Sequence, residues 1–238
     1  RIVTPLTAAV AAGLLLTACT PSPGPADPTV TPTAAATGAS STAAPSDTAS
    51  PVPADPYLSY IARVDAPSLT VYEAPGGAEL MTVAAADVLT VPDQTPFVFL
   101  VQEVEGDWLE LNLPVRPNGT TGWVERDQVE LTSTRKRIEV SLADFELTVY
   151  DGEDAILTTA IGLGQEELPT PGGTYYIREL LQPPDPTTVY GPYAYGLSGY
   201  SPVLDSFKGG DAVIGIHGNN DPSSIGRAVS SGCIRLPN

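Results

Sequence analysis

The stretches IHGNN, residues 216–220, and SSGCIRL, residues 230–236, decide the fold and the chemistry expected of this chain. They place Cys233 sixteen residues after His217, and His217 is the only histidine among 238 residues. A thiol reacts as a nucleophile in its thiolate form, and a neighbouring imidazole is the usual base that generates the thiolate. The pair therefore predicts a cysteine nucleophile, Cys233, with His217 as its base.

Elementary electrostatics indicates that one imidazole is enough for this task. Lowering the pKa of a thiol from about 8.5 to about 6 requires roughly 3.4 kcal/mol of preferential thiolate stabilisation. An imidazolium about 4 Å away supplies roughly 4 kcal/mol at an effective dielectric constant near 20. We therefore expect an ion pair between the Cys233 thiolate and the His217 imidazolium.

The residues around Cys233 predict how a reacting carbonyl is held. Gly232 has no side chain, which lets backbone N–H groups turn toward a developing oxyanion, and the predicted donors are those of Ser231, Gly232 and Cys233. Losing one such donor typically costs about 2.7–4 kcal/mol in the transition state. Arg235 lies two residues after the nucleophile, where it binds a substrate carboxylate or forms an ordinary surface ion pair. We predict the binding role.

Composition excludes some partners. The chain has 28 acidic residues against 11 lysines and arginines, a formal net charge of −17. That charge argues against nucleic acid, because a phosphate backbone attracts cationic surfaces. A catalytic zinc needs about three protein ligands, and one histidine with one cysteine leaves the rest to carboxylates. We therefore predict no metal and no cofactor.

The first nineteen residues have the pattern of an export signal. Arg1 precedes an apolar run of small residues at 8–16, which is too short to span a bilayer. The run ends in LTAC, residues 16–19, which resembles the lipobox of bacterial lipoproteins. We therefore expect Cys19 to be lipidated and the protein to be exported to the cell envelope, anchored to the outer face of the membrane. Lipidation of Cys19 leaves Cys233 without an intrachain partner.

Two further segments precede the motifs. Residues 20–55 are rich in Thr, Pro, Ala and Ser and predict a disordered linker, because they cannot bury enough apolar surface. Residues 56–132 resemble a bacterial SH3-like domain, in which Trp108 and Trp123 either pack in the core or line a ligand groove. Short β-type runs between turn residues predict a small barrel or sandwich there. The predicted strands are at 69–72, 80–83, 88–91, 97–101, 108–113 and 122–124.

Residues 136–238 predict a second domain that is mainly β. Apolar residues alternate from Ile138 to Leu142 and again from Phe145 to Val149, and the slip of phase between them indicates a hairpin. Further strands are predicted at 155–163 and 174–177, and one short helix at 223–229.

The motifs at 216–220 and 223–236, with TPGGT at 170–174 and YAYGLSG at 193–199, resemble the active-site segments of the L,D-transpeptidase (YkuD-type) family. The resemblance covers about residues 137–238 and implies a β-sandwich-like catalytic domain. The expected fold is thus mainly β, an SH3-like barrel followed by this domain. The resemblance also implies that Cys233 forms an acyl-enzyme from a tetrapeptide stem of peptidoglycan, releases D-Ala and transfers the acyl group to an acceptor amine.

The segment between Tyr190 and Gly210 is rich in Tyr, Gly and Pro and predicts a lid over the substrate. Tyr193 and Tyr195 are its predicted substrate contacts, and Gly218, directly after the base, is another. The chain departs from the family where Ser231 replaces a histidine of many members. Gly218 replaces a serine of some members, so a backbone carbonyl would have to orient the imidazole.

The chain stops five residues after the nucleophile, and we expect the domain at 136–238 to be truncated at its C-terminus. Three function classes follow from the sequence. The first is a peptidoglycan L,D-transpeptidase, or an L,D-carboxypeptidase in which water replaces the acceptor amine. The second is a wall-binding lipoprotein with a decayed catalytic domain. The third is a zinc hydrolase.

Overall fold

The computed structural model describes residues 55–238. The predicted export signal, Cys19 and residues 20–54 of the predicted linker lie outside the described residues, so these assignments stay predictions. Within residues 55–238, no helix has the length and apolar character of a membrane span.

The first part of the described chain forms one antiparallel sheet of seven strands. Their order across the sheet is β3-β2-β6-β5-β4-β1-β7. One short helix, α1 (Ala85–Val88), follows β3. The strands are β1 (Ser59–Val64), β2 (Ser68–Tyr72), β3 (Glu79–Ala84), β4 (Phe97–Glu105), β5 (Trp108–Asn112), β6 (Thr121–Glu125) and β7 (Glu130–Thr134).

Alternation along β5 and β6 separates a core face from an outer face. Leu109, Leu111 and Val124 are fully buried, whereas Trp108 and Trp123 alternate with them and are only half-buried. The outer face carries an edge-to-face contact between Trp108 and Tyr72, with 5.4 Å between the ring centroids. Aliphatic residues and phenylalanines fill the core of this sheet, and the tryptophans lie outside it. The closure of the sheet into an SH3-like barrel stays a prediction.

The second part contains nine strands in three sheets. The sheets have the orders β10-β9-β8, β11-β15 and β12-β13-β14-β16. Their shared core is aliphatic and includes residues of β9, β13, β14 and β16. The strands are β8 (Lys136–Ser141), β9 (Glu146–Asp151), β10 (Asp154–Ala160), β11 (Leu163–Gly164), β12 (Ile177–Leu181), β13 (Ala194–Tyr200), β14 (Val213–His217), β15 (Ala228–Ser230) and β16 (Ile234–Arg235).

The fold class is mainly β, as the sequence predicts, and the hairpin of β8 and β9 is confirmed. Its register pairs Ile138 with Val149, and Phe145 in the connecting turn has a φ of 54°.

Three predicted elements are wrong. The strand predicted at 174–177 begins only at its last residue, as β12. The run 88–91 begins at the last residue of α1 and continues without strand pairing, and only Val88 and Leu89 reach the core. The predicted helix at 223–229 is instead a 3-10 turn at Pro222–Ser224 followed by β15.

Candidate active site

His217 and Cys233 are brought together by the parallel pairing of β14 with β16. The register pairs Ile216 with Ile234, and both of these side chains enter the core. His217 follows Ile216, and Cys233 precedes Ile234. Because side chains alternate between the faces of a sheet, His217 and Cys233 both lie on the face opposite the core. Gly215 lies between the two groups. A Cβ at that position would be 3.7 Å from Cδ2 of His217 and 3.8 Å from Sγ of Cys233.

A backbone carbonyl fixes the orientation of the imidazole, as the sequence predicts. Nδ1 of His217 lies 2.5 Å from the carbonyl oxygen of Gly218. Because a carbonyl only accepts hydrogen bonds, Nδ1 carries the proton and Nε2 is the basic nitrogen of the neutral ring. The ring is 6% exposed, and the edge-to-face contact with Tyr190 covers it at a centroid distance of 5.1 Å.

Burial shifts both catalytic groups toward their uncharged forms. It raises the pKa of the Cys233 thiol, and a backbone hydrogen bond from Gly215 and the charge of Arg235 offset this only in part. Burial also lowers the pKa of His217, against the hydrogen bond to Gly218 and with the help of the positive charges of Arg235 and Lys208. Burial thus opposes the ion pair that the sequence predicts, which stays a prediction. The site favours a thiol beside a neutral imidazole, because burial destabilises both charges.

The turn before the nucleophile is held by buried hydroxyl groups. Oγ of Ser230 donates to the carbonyl of Cys233 at 2.6 Å and accepts from the N–H of Gly232 at 3.1 Å. Oγ1 of Thr170 donates to the carbonyl of Gly232 at 2.8 Å and accepts from the N–H of Gly164, also at 2.8 Å. Thr170, in the loop between β11 and β12, and Ser230, at the end of β15, thus hold the main chain around Cys233.

This network corrects one predicted oxyanion donor. The N–H of Gly232 already donates to Ser230 within the protein, so Ser231 and Cys233 remain the candidate donors. The glycine has another role. Its φ is 116°, a conformation that L-residues rarely adopt, and a Cβ there would lie 2.9 Å from Cδ1 of Ile214. Gly232 therefore permits the turn and does not stabilise the oxyanion.

A small pocket of about 120 Å³ opens beside the two catalytic groups. It is lined by the sheet that carries them, by the nucleophile turn and by the loop between β13 and β14. Its polar and aromatic lining residues are Tyr190, Phe207, Lys208, His217, Ser230, Ser231, Cys233 and Arg235. Within the described residues, Cys233 is a free thiol.

The comparisons with known proteins agree with this geometry. Residues 135–238 match the family model of the L,D-transpeptidase catalytic domain, YkuD. Residues 135–238 are thus similar to the L,D-transpeptidase catalytic domain family. Two relatives, both named "Putative L,D-transpeptidase YkuD", come from Bacillus licheniformis and Bacillus subtilis. The first is 37% identical over 102 residues and the second 35% identical over 101 residues.

These matches cover part of each protein. The aligned segments are 43% and 42% of this chain, and each is 53% of the relative. The chain therefore spans about half the length of the curated relatives it matches, and residues 55–134 lie outside the family match.

The L,D-transpeptidase domain places Arg235 at the pocket, as the sequence predicts. Its guanidinium is close enough to lower the pKa of both His217 and Cys233. Its buried Nε–H has no hydrogen-bond partner within the described part of the chain. A buried donor without a partner is costly unless a ligand satisfies it, so Arg235 is suited to bind an acceptor group of the substrate.

Three of the predicted substrate contacts do not line the pocket. Tyr195 pairs with Ile216 across β13 and β14 and packs against the core, on the face away from His217. Tyr193 is 54% exposed and does not line the pocket. Of the tyrosines in the predicted lid, Tyr190 is the one that contacts the base. Gly218 acts through its carbonyl on the imidazole and does not line the pocket.

Three polar residues of the L,D-transpeptidase domain have roles that the sequence did not reveal. Thr170 and Ser230 hold the nucleophile turn, and Lys208 brings a positive charge to the pocket. The TPGGT motif singles out Thr170, but its partner lies 62 residues later in the chain. Position in the sequence alone could not identify that contact.

A second cavity, of about 910 Å³, is larger and mainly apolar, but it contains neither His217 nor Cys233. It lies between β1, β4, β8 and the loop at 170–177, and it also reaches the core-facing isoleucines of β14 and β16. We place the candidate active site at the smaller pocket because His217 and Cys233 line it. Residues 55–238 contain no group of three or more His, Cys, Asp and Glu side chains that could hold a metal ion.

Proposed function

We propose that this protein is a peptidoglycan L,D-transpeptidase that forms an acyl-enzyme on Cys233. The observation that carries the proposal is the shared pocket in which the Cys233 thiol and the His217 ring lie on either side of Gly215. The hydrogen bond from Nδ1 to Gly218 leaves Nε2 as the ring nitrogen that can take the thiol proton. The family match supports the substrate class, which is the stem peptide of peptidoglycan.

In the first half-reaction, Nε2 of His217 takes the thiol proton as Sγ attacks the carbonyl carbon that precedes the terminal D-Ala. The N–H groups of Ser231 and Cys233 stabilise the oxyanion. The carbon–nitrogen bond then breaks, and the imidazolium returns its proton to the departing amine of D-Ala. The product is a thioester on Cys233 and a neutral imidazole.

In the second half-reaction, an acceptor amine attacks the thioester carbonyl and gives a proton to His217. The carbon–sulfur bond breaks, and the imidazolium returns that proton to Sγ, which restores the thiol. The neutral resting pair fits this cycle. The thiolate then forms only as the bond to carbon forms, with His217 as general base.

Two positive side chains at the pocket support an anionic substrate. Lys208 and Arg235 both line the pocket, in a chain whose formal net charge is −17. Stem peptides end in a carboxylate, and a guanidinium binds a carboxylate with two parallel hydrogen bonds. Arg235 is the better placed of the two, because its Nε–H is buried and free to donate.

The sequence also supports a location. The apolar run at 8–16 and the lipobox-like LTAC at 16–19 favour export and lipidation of Cys19, which would anchor the protein to the outer face of the membrane. Residues 20–54 would then carry the catalytic domain toward the cell wall.

The test uses the purified full chain with a tetrapeptide muropeptide as donor. Cys233→Ala and His217→Ala should each abolish release of D-Ala, and wild type alone should show the mass of the acyl-enzyme in intact-protein mass spectrometry. Ser206→Ala, on the exposed side of the loop before β14, serves as the matched control and should keep wild-type activity. Activity retained in Cys233→Ala would sink the proposal.

The products of the same assay distinguish the two reactions that one site can perform. A cross-linked dimer indicates transfer to an amine, whereas a tripeptide alone indicates transfer to water. A wild-type protein that binds the muropeptide without forming the acyl-enzyme would instead match a wall-binding lipoprotein with a decayed catalytic domain.

A further inference from the structure

The loop at 201–212, between β13 and β14, forms one wall of the active-site pocket. Leu204, Phe207, Lys208 and Ala212 from this loop all line it. The loop is closed at its neck by the hydrogen bond from the N–H of Ser201 to the carbonyl of Ala212, at 2.9 Å. Residues 205–211 are exposed. Phe207 and Gly210 bond to each other through their main chains, and Nζ of Lys208 lies 5.5 Å from the centroid of the Tyr190 ring.

The side chain that bonds to several carbonyls of this loop comes from the first sheet. Arg116, in the connection between β5 and β6, donates to the carbonyls of Ser201 at 2.7 Å, Leu204 at 2.9 Å and Asp211 at 2.7 Å. These acceptors lie near both ends of the loop, Ser201 and Leu204 at its start and Asp211 at its end. The guanidinium also stacks over the ring of Tyr200, 4.7 Å from its centroid. A guanidinium presents five donors in a rigid planar fork, whereas a lysine has three donors on a flexible stem.

Neighbouring contacts hold the base of the loop in the same way. The side-chain amide of Asn118 pairs with the main chain of Tyr200 as a neighbouring strand would. It accepts from the N–H of Tyr200 at 2.9 Å and donates to the carbonyl of Tyr200 at 2.8 Å. The hydroxyl of Tyr200 donates to the carbonyl of Pro114 at 2.5 Å. On β12, the carboxylate of Glu179 accepts from the N–H and the hydroxyl of Thr90 at 2.7 and 3.0 Å. The first sheet is thus bonded to the catalytic part through buried and half-buried polar groups.

We propose that Arg116 is a positioning residue of the active site, which holds the 201–212 loop so that Lys208 stays at the mouth of the Cys233 pocket. The first sheet then does more than space the catalytic part, because Arg116 adds three hydrogen bonds to the contacts that hold this wall. Arg116 touches neither the nucleophile nor the base, so it acts through the loop. The kinetic arm of the test rests on the proposed function, and the exchange arm does not.

The exchange arm measures hydrogen–deuterium exchange of the full chain by mass spectrometry. In Arg116→Ala, peptides covering residues 202–211 should exchange about tenfold faster, because the loop loses three hydrogen bonds. Peptides from β1 and β4 should be unchanged, which also shows that the variant is folded. Arg126→Ala removes an exposed arginine of the same sheet region and should leave the loop at wild-type rates. Equal exchange of residues 202–211 in Arg116→Ala and wild type would overturn the proposal.

The kinetic arm measures D-Ala release from the tetrapeptide donor. In Arg116→Ala, kcat/KM should fall about tenfold, mainly through a higher KM, because the wall is displaced while Cys233 and His217 stay in place. Arg116→Lys should recover only part of this loss. In Arg116→Ala, iodoacetamide should alkylate Cys233 at the wild-type rate. A loss that falls on kcat alone, with slower alkylation, would indicate general damage and overturn the positioning role.

A double-mutant cycle tests the route through Lys208. Lys208→Ala should raise KM, and Arg116→Ala should cost much less in the Lys208→Ala background than in wild type. Fully multiplicative losses would contradict the proposal. If wild type releases no D-Ala, the proposed function fails, and the exchange arm still decides the role of Arg116.

Discussion

The nucleophile turn and the loop at 201–212 meet at the same pocket, but they are held in different ways. The turn is buried, and Ser230 and Thr170 from the same domain satisfy its main chain. The loop is exposed at its tip and depends on Arg116, which lies 85 residues before Ser201. The chemical centre is therefore fixed by local contacts, whereas the wall that meets the substrate is fixed from the other sheet.

This difference predicts that substitutions in the turn affect the chemical step and stability, whereas substitutions in the loop affect substrate binding. The largest effect should come from Gly232→Ala. The φ of 116° and the closeness of Ile214 oppose any side chain, so we expect a loss of about 1–3 kcal/mol in the free energy of unfolding. Activity should fall below detection. A thermal melt with an assay of D-Ala release checks both, and wild-type values for this variant would contradict the described turn.

Ser230→Ala should have the next largest effect. It leaves the N–H of Gly232 without its acceptor in a buried site, which typically costs about 1–3 kcal/mol. We expect kcat to fall more than KM rises, because the carbonyl of Cys233 also loses its donor. Urea unfolding and steady-state kinetics measure the two effects. Ser223→Ala, at an exposed hydroxyl in the preceding 3-10 turn, is the matched control.

The pH dependence of kcat/KM tests whether the charge of Lys208, in the loop, reaches His217. Burial, Arg235 and Lys208 lower the pKa of His217, so the base stays neutral and active below the ordinary titration range of a histidine. Removing a positive charge in Lys208→Ala should raise this pKa, and the acidic limb of kcat/KM should move to higher pH. Ser206→Ala should not move it. An acidic limb at the same pH in Lys208→Ala and wild type would show that the charge does not reach the base.

The smallest effect should come from Val203→Ala in the exposed part of the loop. Val203 is 56% exposed, and its side chain does not line the pocket. We expect a change within about 0.5 kcal/mol in the free energy of unfolding. Chemical denaturation checks it, and a larger loss would mean that the loop contributes to the core.

The comparison also explains which features the sequence could predict. The pair of Cys233 and His217 follows from one histidine, one unpaired cysteine and their motifs. The hairpin of β8 and β9 follows from the alternation that starts at Ile138, because strand periodicity is local. The family match at 135–238 confirms the recognition that these motifs gave.

Other features depend on contacts between distant residues or on burial, which no local pattern reveals. Thr170 and Arg116 reach partners 62 and 85 residues away. Burial shifts the pKa of Cys233 up and the pKa of His217 down, whereas the sequence argument counted only the attraction between the two charges. The helix expected at 223–229 does not form, since Gly226 has a φ of 76° and the chain passes directly into β15.

The carbonyl of Gly218 has a consequence for how the site tolerates substitution. Many enzymes set the tautomer of a catalytic histidine with a carboxylate or hydroxyl, and one codon change removes it. Here the acceptor belongs to the peptide backbone, so replacing a side chain does not delete it. Only displacement of the chain after β14 can remove this acceptor. The tautomer of the His217 ring is therefore set by the fold and is not sensitive to side-chain substitutions at residue 218.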